Sequence, residues 1–90
     1  MVWAVSFSSK AAKQKEKLPG NQQAILALLV RDLQLNGPVQ KGWKNYSTLG
    51  DKNTHHCHLS YKWVACWEVK DKELKLINVY YAGSRENAPY

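Results

Sequence analysis

The stretch Thr54-His55-His56-Cys57-His58-Leu59-Ser60-Tyr61-Lys62-Trp63-Val64-Ala65-Cys66-Trp67-Glu68-Val69 decides how this chain folds. Residues 54–59 and 62–69 read as two strands joined by a tight turn at Ser60-Tyr61. On a strand, successive side chains point to opposite faces. Cys57 and Leu59 therefore share one face, and His56 and His58 share the other. The apolar pair belongs against a core, and the two histidines belong on the open side of the sheet. Residues 63–69 are apolar on both faces except at Glu68, the pattern of a strand in the middle of a sheet. Trp63 and Trp67 share a face, and a core role suits them better than stacking on a base.

The reading extends in both directions. Asp71-Lys72 is turn chemistry, and residues 73–81 form a further strand rich in Leu, Ile, Val and Tyr. Ala82-Gly83 ends it, with Gly83 letting the backbone turn sharply, and residues 84–90 are a polar tail. Upstream, Gly50-Asp51-Lys52-Asn53 is a turn, and residues 41–49 read as a weak strand or loop. Before that the period becomes helical. Leu26, Leu29, Val30 and Leu33 fall at i, i+3, i+4 and i+7, a stripe that must be buried. Asn21 can cap this helix, and Asn36-Gly37-Pro38 stops it. A shorter helix through Ala11, Ala12, Lys13, Lys15 and Lys17 is capped by Ser8 or Ser9 and broken at Leu18-Pro19-Gly20. Trp3, Val5 and Phe7 alternate as an opening strand. The expected fold is a single α+β domain spanning residues 1–90. It has an N-terminal strand, a helical hairpin, then an antiparallel meander of three to four strands with the helices on one face. The partner of the first strand is not visible in the sequence.

The chain has 90 residues and a net charge of +6, from 13 Lys and Arg against 7 Asp and Glu. That balance favours RNA, DNA or an acidic protein as partner, as against a merely solvated basic surface. Cys57 and Cys66 sit in strand-like runs, too few for a disulfide framework, and are read as reduced. No segment reaches the roughly 20 apolar residues of a membrane span. The opening residues have neither the charge nor the apolar run of a signal peptide, so a cytoplasmic location is expected.

Several residues can carry chemistry. His56 and His58, side by side, suit proton transfer near neutral pH, or they are ordinary exposed strand residues. Three His and a Cys within residues 55–58 look like metal ligands by composition. Alternation leaves at most two on one face, however, and a structural zinc site takes four ligands, so no metal site is expected. Glu68 is a general base, a salt-bridge partner, or the residue that orients a histidine. Arg85 has forked donors matched to phosphate and stands at a strand end, which suits it better than Arg31 on the second helix. Its alternative is a surface arginine near a terminus. Tyr90 can stack on a base or exchange a proton. Lys41, Lys44, Lys52 and Lys62 form an RNA-binding rim if they surround the open face. Lys10, Lys13, Lys15 and Lys17 are solvated or face an acidic partner.

In this order and spacing, the pieces resemble the RelE superfamily of bacterial toxins over nearly the whole chain. Phe7-Ser8-Ser9-Lys10-Ala11-Ala12-Lys13 is similar to that family's opening strand and first helix. Cys57-His58-Leu59, then Trp63, then Trp67-Glu68-Val69-Lys70-Asp71-Lys72-Glu73-Leu74, resembles its YafQ branch. Gly83-Ser84-Arg85-Glu86 resembles the end of the last strand in RelE. The resemblance implies the toxin of a type II toxin–antitoxin system. Such toxins are ribosome-dependent mRNA endonucleases, in which a ribose 2′-hydroxyl attacks the adjacent phosphate without metal or cofactor. It carries the catalytic histidine of the YafQ branch onto His58, a RelE lysine onto His56, and the transition-state arginine onto Arg85. Tyr90 resembles the terminal tyrosine but falls one residue early. Lys62 stands where YafQ-like proteins have an acidic residue, which points to His56 with His58 as the acid–base pair. Implied partners are a cognate antitoxin that wraps the toxin with an extended helical segment, mRNA on the ribosome, and operator DNA through the antitoxin complex. Three other readings remain open: a ParE-like toxin that poisons DNA gyrase, a non-catalytic RNA-binding or interaction module, and an inactive relative kept for operator regulation. The histidine pair and Arg85 favour the nuclease, since a gyrase poison needs no acid–base set.

Overall fold

A computed structural model describes residues 2–50 and 53–90. The elements run β1 (Ala4–Phe7), α1 (Ser9–Lys17), α2 (Gly20–Asn36), β2 (Ser47–Thr48), β3 (Thr54–His58), β4 (Trp63–Asp71) and β5 (Leu76–Ser84), then a 3-10 turn, Arg85–Asn87. They form one five-stranded sheet in the order β1-β5-β4-β3-β2. The later strands are antiparallel neighbours. The opening strand pairs in parallel with the last one, Phe7 beside Val79. Parallel pairing needs a long crossover, which the intervening chain supplies, and β1 lies at the edge of the sheet. Hairpin reasoning alone does not reach that pairing. Among the described residues no helix is long and apolar enough to cross a membrane.

The helices follow their local signals with one correction. Ser8 caps α1, its Oγ accepting from the Ala11 amide at 3.0 Å. Asn21 does not cap α2. The helix already starts at Gly20, with the Pro19 carbonyl accepting from the amides of Gln22 at 2.9 Å and Gln23 at 3.0 Å. Proline suits this place because it lacks an amide that would itself need a partner. Gly37 ends α2 at φ 90°, its amide donating to the Leu33 carbonyl at 2.9 Å. A Cβ there would also lie 2.9 Å from the Trp3 indole nitrogen, so glycine is required twice over.

Leu26, Leu29 and Leu33 pack on Cys57, Leu59, Ala65, Trp67, Ile77 and Val79 from the sheet, with Val30 only partly buried beside them. Trp67 is fully buried, and its indole donates to the Pro38 carbonyl at 3.0 Å. Trp63, on the same face, is partly buried and packs against the edge of that cluster.

The last strand corrects the sequence reading at both ends. It begins at Leu76, because Asp71 Oδ1 accepts from the Leu74 amide at 2.8 Å and Lys75 takes φ 57°, holding residues 72–75 as the turn. It runs on to Ser84, so Gly83 is a paired strand residue opposite Val64 and not a turn. Glycine is needed there for another reason: a Cβ would come within 2.9 Å of the Tyr81 hydroxyl oxygen. Between Cys66 opposite Tyr81 and Trp67 opposite Val79, Tyr80 is an extra residue. This bulge lets Tyr80 and Tyr81 both pack against the face away from the helices. Residues 41–49 are mostly loop, with β2 pairing onto β3.

Candidate active site

Strand β3 divides its histidines between the two faces of the sheet. His55 goes to the helix side, its ring centroid 5.9 Å from that of Trp67 and stacked nearly parallel to it at 5°. Its Nδ1 lies 2.7 Å from the Tyr46 hydroxyl. His56 and His58 go to the other side, as alternation requires, with ring centroids 6.2 Å apart. They are not the exposed strand residues of the alternative reading: they are only 8% and 9% accessible. Val64, Cys66 and Tyr81 form a second small cluster on that face, packed by Leu49, Tyr80 and Ala88. The C-terminal tail folds back over it. The Ala88 amide donates to the Arg85 carbonyl at 3.3 Å, and the Tyr90 ring comes to 4.4 Å from His56.

Edge strand β2 completes the surroundings. Ser47 lies opposite His56, with its Oγ 3.2 Å from His56 Nδ1. The Lys44 carbonyl accepts from the His58 amide at 2.8 Å, which ties the lysine beside that imidazole. Burial lowers the pKa of His56, and neighbouring His58 adds to the effect. Burial also lowers His58, followed by the charges of Arg85 and Lys44. Tyr90 is pushed the other way, chiefly by burial, although Arg85 opposes the shift. Near neutral pH the site therefore holds two neutral imidazoles able to accept a proton and a phenol that keeps its own. The Cys66 thiol near Tyr90 is pushed up to about 12 by burial, as is Cys57 on the opposite face, so neither is a ready nucleophile.

Arg85 stands beside this group. Its side chain is exposed, and the guanidinium carbon lies 5.0 Å over the ring of Tyr61. Its amide donates to the Lys62 carbonyl at 2.7 Å, and its charge is felt by both His58 and Tyr90. Tyr61, Lys62, Trp63, Ser84, Arg85 and Glu86 line a cleft of about 380 Å³. Of the four rim lysines, Lys44 adjoins His58 and Lys62 lines the cleft. Lys41 is exposed, and among the described residues no hydrogen bond or ion pair ties its side chain to the histidines. Lys52 lies outside the described residues. Glu68 accepts from the Asn78 side chain at 3.2 Å and lies 3.9 Å from Lys70, so its contacts are those of a salt-bridge partner. Among the described residues no three His, Cys, Asp or Glu side chains are grouped to hold a metal ion.

The sequence reading missed Ser47 and Tyr61. Ser47 lies in a stretch without clear periodicity and reaches His56 only through strand pairing. Tyr61 did leave a signal, an aromatic ring in a two-residue turn that is 71% exposed in the fold.

No protein-family model matches the chain, and no curated protein matches it. Solved structures do. The archaeal RelE–RelB complex from Pyrococcus horikoshii OT3 matches with a TM-score of 0.79 at 15% identity, covering 98% of this chain and 100% of that one. The isolated E. coli RelE toxin matches with a TM-score of 0.76 at 19% identity, covering 98% and 89%. The E. coli DinJ–YafQ toxin–antitoxin complex matches with a TM-score of 0.74 at 15% identity, covering both chains fully. At these identities the likeness is one of fold: this chain has the α+β fold of the RelE-like toxins.

Proposed function

We propose that this chain is the toxin of a type II toxin–antitoxin pair and acts as a ribosome-dependent mRNA endonuclease. The observation that carries the reading is the group His56, His58 and Tyr90, gathered on one sheet face with Arg85 beside it. The fold alone would serve many activities. A cluster of two neutral imidazoles, a protonated phenol and a guanidinium is an acid–base set with a phosphate ligand.

In this reading His58 takes the proton of a ribose 2′-hydroxyl. The freed oxygen attacks the adjacent phosphorus, a P–O bond forms, and the bond to the next nucleotide's 5′-oxygen breaks. The products are a 2′,3′-cyclic phosphate and a 5′-hydroxyl. The leaving oxygen takes its proton from Tyr90, whose raised pKa keeps the phenol protonated, with the tilted His56 ring in contact with it. Arg85 and Lys44 serve two ends. They add to burial in keeping His58 neutral, hence free to accept a proton, and they stabilise the charge that builds on the phosphorane. A shallow site of this kind relies on the ribosome to align the 2′-hydroxyl with the phosphate. The net charge of +6 suits an RNA target. Two of the similar structures, RelE–RelB and DinJ–YafQ, were solved as complexes, which supports a cognate antitoxin as partner here. A cytoplasmic location follows from the target.

Primer extension on a reporter mRNA in a bacterial translation extract tests the reading, with and without ribosomes. The expected result is ribosome-dependent cuts that vanish in His58→Ala and Arg85→Ala. Intact mRNA in the presence of folded, soluble protein would sink it, and a gyrase supercoiling assay would then decide for the ParE-like alternative.

A further inference from the structure

The acid–base group leaves the cleft beside it unused. Tyr61 is 71% exposed, so its ring is open to a ligand at the mouth of the cleft. The Arg85 guanidinium carbon lies 5.0 Å over its ring, a distance at which the cation and the ring attract. An exposed phenol ring beside a guanidinium is a pair of groups on which nucleobases stack. The cleft of about 380 Å³ is near the lower end of the volumes that hold small ligands, which suits one nucleotide. Its polar lining is mixed in a useful way. Lys62 offers a cation for phosphate, and Glu86 offers a carboxylate that accepts from an amino group. Arg85 joins this cleft to the histidines, because its charge acts on His58.

We infer that the cleft between Tyr61, Lys62, Arg85 and Glu86 is a nucleotide subsite that takes the RNA base flanking the scissile phosphate and prefers bases bearing an exocyclic amino group. The inference deepens the endonuclease reading and rests on it for the identity of the ligand. Tyr61 supplies stacking that any base can use, and Glu86 supplies the choice: adenine, cytosine and guanine can donate an amino hydrogen to the carboxylate, whereas uracil has none. The pairing of Tyr61 with Arg85 also fixes the guanidinium between the bound base and the phosphate.

The test is fluorescence anisotropy of the purified chain with labelled 2′-O-methyl hexanucleotides that differ at one position, A, C, G or U, at low salt. The 2′-O-methyl group blocks cleavage, so binding is read whether or not the chain is a nuclease. Wild type should bind the amino-bearing series several-fold more tightly than the uracil series. Tyr61→Ala should weaken all four by about ten-fold, and Tyr61→Phe should restore them, since stacking needs only the ring. Glu86→Gln should leave average affinity nearly unchanged and cut the discrimination against uracil to less than about two-fold. Tyr61 is exposed, so loss of binding in Tyr61→Ala with an unchanged melting curve cannot be attributed to unfolding. Equal binding by wild type and Tyr61→Ala overturns the subsite, and so does failure of wild type to bind any of the four. Primer extension separates the two ideas. Binding as expected without mRNA cuts would remove the endonuclease and leave the subsite. Cuts whose positions and rates ignore Tyr61→Ala and Glu86→Gln would remove the subsite and leave the endonuclease.

Discussion

Three histidines stand within four positions of one strand, and the two faces of the sheet treat them differently. On the helix side, His55 is 2% accessible and sits in a stack with Tyr46 and Trp67, its Nδ1 in contact with the Tyr46 hydroxyl. It is a core residue whose polar edge is met by a designated partner. On the other side, His56 and His58 are nearly as buried, but beneath a thin cover made of the tail and an edge strand. Their neighbours there are titratable or charged: Arg85, Lys44, Tyr90 and each other. Burial alone therefore does not distinguish a structural histidine from a chemical one. What marks the second face is that its described surroundings bring charges and exchangeable protons to the two imidazoles.

Substitutions on the two faces can break or sharpen this contrast. The largest effect is expected from His58→Ala, which should lower the mRNA cleavage rate by about 10² to 10⁴-fold while leaving the urea midpoint little changed. A cleavage rate within a few-fold of wild type would end the distinction drawn here. Next comes Trp67→Ala on the helix face, which should cost about 3–5 kcal/mol of stability in urea denaturation, a large share of what a domain this size has. The cleavage rate per folded molecule should not move. Smaller again is Tyr46→Phe, which removes the hydroxyl facing His55 and should destabilise by about 1–3 kcal/mol, again with activity per folded molecule retained. If Tyr46→Phe abolished cleavage at full stability, His55 would belong to the chemistry after all.

The smallest effect is the most diagnostic of the second face. His56 and His58 both have folded pKa values below the ordinary 6.5. Above that pH both are neutral in either state, and their share of stability is fully present. As pH falls through 6.5 the unfolded chain takes up protons first, so stability drops and levels off below the folded values. Melting temperature should therefore fall between about pH 7 and pH 5, and the His56→Gln, His58→Gln double variant should flatten the fall. The cleavage rate should hold to below pH 6.5 on its acid side, because the base stays unprotonated there.

Much of this was legible in residues 54–69. Alternation placed Cys57 and Leu59 in the core and His56 and His58 opposite, and the doubly apolar residues 63–69 gave a central strand. The stripe Leu26, Leu29, Leu33 gave the packed helix. The limits of the last strand were not legible, because its start depends on an Asp71 side-chain contact and its continuation on Gly83 making room for Tyr81. The caps show the same division: Ser8 satisfies its helix locally, whereas the start of α2 is decided by a proline carbonyl.

By itself, the sequence determined which residues share a face, where the helices lie, that the chain is basic, and that two histidines leave the core together. These are local properties, set by side-chain period and turn chemistry over a few residues. Only the tertiary structure decided that β1 joins β5, that Ser47 meets His56, that Tyr90 closes over the histidines, and that Arg85 lies on Tyr61. Each of those brings together residues far apart in the chain or set by a bulge or a returning tail. Contacts of that kind depend on how the whole sheet closes on its helices, which no stretch of sequence encodes alone.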